Sequence, residues 1–360
     1  MRYKVLTIIL FSLFISIIIL SKFSENLTEN IYSQKIYKVI ILFLSFLFGK
    51  IPFSVAEIII IICAILILIF TIFLIKMFFN KRYSKKILKT LILKLLTIFV
   101  LIYFFFLFLW GFNYNRLTYN EIQNYKLDEV KTLELKEMCE YLTKKTNYLR
   151  NKTDENESGI MKISENLDIT AKRSLDGYNN LTYEMKDLSK NYGTPKFIYF
   201  SKIMLYLNIS GFYFPFTGEA NINKYTPDCY LPHTIAHELA HQRGFAREDE
   251  ANYIGFLACK NSPYCDYQYS GYLSMLTYSM NYLYQYSFDD YKKIRKQYNK
   301  NIERDLLNVQ NFYDEYETPI ETLSSNINDL YLKTNKQDSG INSYGEVIYL
   351  LISDFNNDKL

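Results

Sequence analysis

The feature that most constrains this chain is a set of apolar runs crowded into its first third, because about 20 such residues are enough to cross the hydrocarbon core of a bilayer. "VLTIILFSLFISIIIL" (Val5 to Leu20) carries no charge. "VAEIIIIICAILILIFTIFLI" (Val55 to Ile75) has one Glu at its edge, and "LLTIFVLIYFFFLFLWGF" (Leu95 to Phe112) places Trp110 near its end, where interfacial aromatics belong. We therefore expect a membrane domain over residues 1–112 with three spans, at about 5–20, 55–75 and 95–112. "VIILFLSFLFGKIPF" has an apolar core too short to cross, closed by Gly49, Lys50 and Pro52. The stretch 37–53 is accordingly expected as an interfacial or re-entrant segment, with a fourth span as the alternative. No small-residue cleavage site follows the first run, which reads as an uncleaved anchor.

Orientation follows from the basic residues. Lys76, Lys81, Arg82, Lys85, Lys86, Lys89 and Lys94 lie between the second and third spans with no acidic residue among them, which marks that loop as cytoplasmic. Arg2 and Lys4 put the N-terminus on the same side. Three spans then carry everything after Phe112 to the other face of the cell membrane, and a fourth would invert this.

From Asn113 onward the composition turns polar, and residues 113–360 are expected to form an extracytoplasmic domain. Apolar periodicity predicts helices at about 127–150, 160–191, 232–243, 246–260, 265–286, 288–312 and 317–334, with a last one over "SYGEVIYLLISDF". The fold class is thus mainly α. The exception is "ISGFYFPFTGEANIN" (Ile209 to Asn223), whose aromatic and β-branched residues favour a short edge strand or an extended loop. "YQYSGYLSMLTYSMNYLYQYSF" is uncharged, but its tyrosines and serines make it a buried helix of the domain rather than a span. Heavy use of Lys, Asn, Ile and Tyr points to an AT-rich coding bias, so most of the 34 tyrosines are read as background. The net charge of +4 is too small to imply a nucleic-acid partner. Cys139, Cys229, Cys259 and Cys265 fall in the exported part, where they form either two disulfides or four buried thiols.

All three histidines of the chain lie in "HTIAHELAHQRGFAREDEAN". Pro232 suits the first position of a helix that runs to Gly244, placing His237 and His241 one turn apart on one face. Two imidazoles so spaced, with a glutamate between them, form the HExxH arrangement that binds zinc and offers Glu238 as a general base. His233 lies about 12 Å of helical rise from His241, too far to share the ion, and is assigned to capping, a supporting contact or substrate. A second helix after Gly244 offers the third ligand. Glu248 and Asn252 share a face, so Glu248 can ligate while Asn252 orients a ligand histidine; Glu250, about 200° around the helix, is the rival ligand.

"HELAHQRGFAREDEAN" resembles the Glu-zincin metallopeptidases, whose third ligand sits in an ExxA(D/N) signature, here Glu248, Ala251 and Asn252. Together with the apolar runs and "PFTGEANIN", the whole chain is similar to a family of bacterial multi-pass membrane proteins with a zinc-peptidase domain of unknown function. The resemblance implies a zincin-like domain, Zn²⁺ as cofactor and a peptide or protein substrate. Arg247 stands where metzincins carry a third histidine, which excludes that group. The function expected is membrane-anchored peptide-bond hydrolysis, with an oxyanion donor to be sought among Tyr253, Arg243, Arg247 and other tyrosines. The alternative is a non-catalytic zinc-binding or sensory module using the same ligands. An intramembrane protease is disfavoured by the polar stretch before the histidines.

Overall fold

The computed structural model describes residues 11–13, 15–16, 24–80, 84–123, 130–181, 186–357 and 360. Three helices among them are long and apolar enough to cross a membrane: α1 (Glu25–Phe48), α2 (Val55–Phe79) and α3 (Lys85–Leu109). Nearly all of α2 and α3 is left unburied by the protein, as lipid-facing helices require, and the 25 residues of α2 extend about 37 Å. This is the build of a membrane protein. Of the expected span 5–20, only residues 11–13 and 15–16 are described.

The other boundaries move for physical reasons. The third helix begins ten residues before Leu95, because Ser84 caps it by accepting a hydrogen bond from the Ile87 N–H. It ends at Leu109, and Trp110 to Phe112 turn inward and are buried instead of resting at a lipid interface. Of the segment expected at 37–53, residues 49–53 turn the chain toward α2 and residues 37–48 are the second half of α1. That helix lies along the domain: Glu29 pairs with Arg116, Ser33 with Asn113, and the Tyr37 hydroxyl donates to the Gln242 carbonyl at 2.8 Å. Its other face, including Val39, Phe43 and Phe46, is exposed.

The rest is helical apart from one small sheet. In chain order it comprises α4 (Thr132–Arg150), α5 (Leu167–Asn180), β1 (Lys196–Phe197), α6 (Ser201–Tyr206), β2 (Gly211–Phe214), β3 (Glu219–Ile222), α7 (Leu231–Gln242), α8 (Glu248–Lys260), α9 (Cys265–Tyr286), α10 (Phe288–Arg295), α11 (Lys300–Asp314), α12 (Pro319–Thr334) and α13 (Val347–Asn356). Helices α7 and α8 form the centre, with Ile235, Leu239, Ile254 and Phe256 wholly buried. Each such side chain contributes about 1.5–3 kcal/mol by leaving water. Gly255 lets the pair approach closely, since a methyl there would lie 2.9 Å from the His237 backbone nitrogen. Helix α9 packs behind them and α4 behind α9. As expected, α9 is a buried helix of the domain.

Two predicted helices are shorter than expected. The 160–191 stretch is helical only from Leu167, because Asp305 accepts from the Met161 N–H, Asp266 from Ser164, and Asn166 caps the helix through the Ile169 N–H. The 288–312 stretch is divided where Asn299 caps α11. All five cysteines are free thiols, with Cys139, Cys229 and Cys259 buried.

The sheet has the order β1-β3-β2, with β1 parallel and β2 antiparallel to β3. Among the described residues β2 is therefore an edge strand, as the aromatic stretch predicts. β3 is the hinge between membrane and domain. The Glu219 carboxylate, 4% exposed, accepts from the Ala56 N–H at 2.8 Å and the Val55 N–H at 3.2 Å, and pairs with Lys196. An anion at the positive end of α2 complements the helix dipole. Glu219→Gln keeps the shape and removes the charge that balances Lys196. We expect it to lower stability by about 1–3 kcal/mol in denaturant titration of the solubilised protein. An unchanged midpoint would mean that the tie is not stabilising.

Candidate metal centre

The site grows out of the turn joining α7 to α8. Gly244, with φ +90°, reverses the chain so that the Phe245 N–H reaches the Ala240 carbonyl and the Phe245 carbonyl comes back over α7. That carbonyl accepts from His241 Nδ1 at 2.7 Å, which fixes the ring and leaves Nε2 of neutral His241 as a lone pair. Trp110, at the end of α3, donates its indole N–H to the His241 carbonyl at 3.1 Å and sets its ring edge-on to the imidazole. The turn then delivers Glu248 to the first residue of α8, its backbone N–H held by Gln337 Oε1.

Three ligand atoms converge there. His237 Nε2 and His241 Nε2 are 3.0 Å apart, and Glu248 Oε2 lies 3.2 Å from the first and 3.4 Å from the second. A tetrahedral zinc with bonds of about 2.0–2.1 Å holds its ligand atoms about 3.3–3.4 Å apart. The observed separations come within about 0.4 Å of that spacing. All three residues are buried. His237 Nδ1 and Glu248 Oε2 have no hydrogen-bond donor or acceptor satisfying them, which is costly for a purely hydrogen-bonded cluster. Were His237 Nε2 to donate to His241, His237 Nδ1 would be a bare buried acceptor. A shared cation removes the conflict, and two neutral imidazoles with one carboxylate suit a divalent one. The residues present fit zinc.

Glu248 and its two histidines draw in positive charge, whether a proton or a metal ion. Burial alone would raise Glu248, but the two histidines overcome it and bring the carboxyl down to about 2. Burial opposes protonation of His241, yet the Glu248 charge carries it up to about 9. Glu238 is different. Burial raises it, against the pull of both histidines, to about 7. Its Oε2 has no partner, and Gly211 of β2 lies so near that a methyl there would sit 2.7 Å from Oε1.

A family model described as "Protein of unknown function (DUF3810)" matches residues 32–352, most of the chain. The chain belongs to DUF3810. No curated protein and no solved structure matches it. The region shared with DUF3810 runs from within α1 to within α13, so the whole centre and its ties to the membrane helices lie inside it.

The remaining residues singled out in the sequence are placed as follows. Glu250 points away from the centre, accepting from the Tyr119 N–H at 2.7 Å and pairing with Arg247. Asn252 does not orient a ligand histidine through its side chain; its Nδ2 donates to the Tyr344 carbonyl, and the Phe245 carbonyl holds His241 instead. His233 ties α7 to α8, its Nε2–H donating to the Asn252 carbonyl at 3.1 Å. Desolvation brings His233 down to about 3. Tyr253 is bonded to Asp354, and Arg243 is spent on the Leu188, Leu239 and Lys190 carbonyls. Arg247 turns to Glu250 and the Arg116 carbonyl. None of these three is left to stabilise an oxyanion.

Of the other tyrosines kept as candidates, three lie near the cluster. The Tyr344 ring stacks near His237 at 6.4 Å, and Tyr114 donates to Tyr331 at 3.1 Å. Burial raises all three hydroxyls, with the Glu248 charge adding to it, so each stays a protonated donor.

Proposed function

We propose that this member of DUF3810 is a membrane-anchored, zinc-dependent peptidase of the Glu-zincin type, working on the extracytoplasmic side. The observation that carries the reading is the buried Glu238 carboxylate, free of hydrogen bonds at Oε2 and set beside the His237–His241–Glu248 cluster. A purely structural zinc site closes its fourth position and has no use for a base there.

His237, His241 and Glu248 would hold Zn²⁺, which would supply a Lewis acid able to acidify water. Glu238 accepts the proton that the attacking water gives up and hands it to the leaving amine. β2, an edge strand among the described residues, runs beside Glu238 and can bind an extended substrate by main-chain pairing. Tyr344 and Tyr331 offer hydroxyl donors for the developing oxyanion, and Tyr114 orients Tyr331 by donating to it.

Topology supports the extracytoplasmic side. The start of α2 and the end of α3 both join the domain, through Glu219 and Trp110, so Lys76, near the end of α2, and Lys86 and Lys89, near the start of α3, lie toward the other end of the helix pair. A lysine-rich loop belongs in the cytoplasm.

The test is peptide hydrolysis by the full-length protein in nanodiscs with zinc, wild type against Glu238→Gln, on a broad peptide library. Zinc retained with no wild-type turnover would instead assign a metal-binding or sensory module. A second variant probes the wall of the site. Gly211→Ala pushes a methyl against the Glu238 carboxylate, and a shift near 1 Å at a catalytic group costs about 100-fold. We expect kcat to fall by about 10–100-fold with zinc content unchanged; an unaltered kcat would show that β2 does not position the base.

A further inference from the structure

Helix α12 is amphipathic in the inverted sense. Ile320, Leu323, Ile327 and Leu330 form one stripe and are 56–67% exposed. The polar side faces the protein: Glu321 accepts from Asn208 Nδ2 at 3.0 Å, and Asp329 from the Ile341 N–H at 3.1 Å. A surface helix of a protein bathed in water has the opposite arrangement, with its apolar stripe turned to the core. A contiguous exposed apolar patch marks a contact surface.

The position of α12 says what covers that stripe. Its far end reaches α3, where Tyr331 packs against Phe106 with ring centroids 6.4 Å apart. Its near end reaches the segment before β2, through Asn208. That segment includes α6, which is tied to the other membrane helix, since the Tyr199 and Phe200 N–H groups donate to Glu57 in the first turn of α2 at 2.9 and 2.8 Å. Here too the apolar side chains are turned outward: Tyr199, Phe200, Ile203 and Tyr206 are all exposed. Lys224 lies over the Tyr199 ring, a pairing of amine and aromatic suited to a headgroup layer. Exposed apolar side chains therefore recur from the top of α2, across α6 and α12, to the top of α3.

We propose that α6 and α12 rest on the bilayer that α2 and α3 cross, with the stripe Ile320–Leu323–Ile327–Leu330 immersed at the acyl boundary. The occupant is lipid, because the patch adjoins the lipid-facing surface of two spanning helices and carries lysine and tyrosine at its rim. Amphipathic helices lying in the interface plane bury their apolar face in this way. The arrangement holds the metal centre at the membrane surface, and it does not depend on what reaction that centre performs.

The test uses spin labels on the full-length protein in nanodiscs, in a Cys63→Ser, Cys265→Ser background that leaves only the three buried thiols. Labels are placed by Leu323→Cys or Leu330→Cys, with Leu133→Cys on α4 as the reference, a residue equally exposed but on a helix packed against α9. The expected result is inverted collision preference: dissolved oxygen over a water-soluble nickel chelate at 323 and 330, the chelate over oxygen at 133. The same preference at all three positions would overturn the proposal. So would dipolar broadening at 323 that vanishes on dilution with unlabelled protein, since a second copy would then cover the stripe. The readout requires neither zinc nor turnover, so its failure is separate from any failure of the peptidase reading.

Discussion

Replacing Glu238 with Gln is expected to lower kcat/KM for peptide hydrolysis by about 10²–10⁴-fold, the usual worth of a positioned general base, while zinc content stays at the wild-type level. The two readouts divide because of where the carboxylate stands. The three mutually close ligand atoms belong to His237, His241 and Glu248, so no coordinating atom is removed. Oε2 of Glu238 has no hydrogen-bond partner, and the isosteric amide gives up no contact made there. What is lost is the capacity to take a proton. Burial holds the Glu238 carboxyl up at about 7, which suits a base that must both accept a proton and release it near neutral pH. Parallel measurement of turnover and metal stoichiometry checks the prediction. A variant with full activity would show that another group serves as base. A variant that loses zinc would show that Glu238 helps hold the ion.

Much of this centre is legible in the sequence because it is local. His237 and His241 are four residues apart on one helix, and helical geometry alone puts them on one face. Glu248 needs one further inference, that the chain turns at Gly244, and glycine signals that turn plainly. The legibility stops where partners come from far along the chain. The acceptor for His241 is a backbone carbonyl, that of Phe245, which carries no side-chain signature; Asn252, chosen for its chemistry, turns to Tyr344 instead. Trp110 has the composition of an interfacial anchor, and only tertiary contact with the His241 carbonyl draws it inside. The tyrosines around Glu248 are hidden by their own abundance, since 34 of them cannot be ranked by type. Glu219 is the clearest case. "PFTGEANIN" stands out as a motif beside the histidines, but its glutamate caps a membrane helix more than 160 residues earlier in the chain. The helices were readable from apolar period because most of them bury one face; α12 has a period of the same kind turned outward, and period alone does not say which way a stripe faces.

Glu248→Ala is expected to abolish stoichiometric zinc binding, whereas Glu250→Ala should retain it. The two residues are near neighbours on α8, both acidic and both buried, so composition does not separate them. Geometry does. Glu248 Oε2 is 3.2 and 3.4 Å from the two histidine nitrogens, while Glu250 Oε1 is held by the Tyr119 N–H at 2.7 Å on another face of the helix. Removing this carboxylate would leave two neutral imidazoles, and the loss of affinity should exceed the roughly 10–100-fold that follows deletion of a group merely supporting a ligand. Glu250→Ala acts on the fold instead. It strands a buried backbone N–H and weakens the hold on Arg247, costing about 1–3 kcal/mol of stability with zinc still bound. Competition with a chromophoric chelator measures the first effect and denaturant titration the second. If zinc leaves with Glu250 and stays without Glu248, the carboxylate ligand is reassigned, and α8 must then rotate by about half a turn to present it.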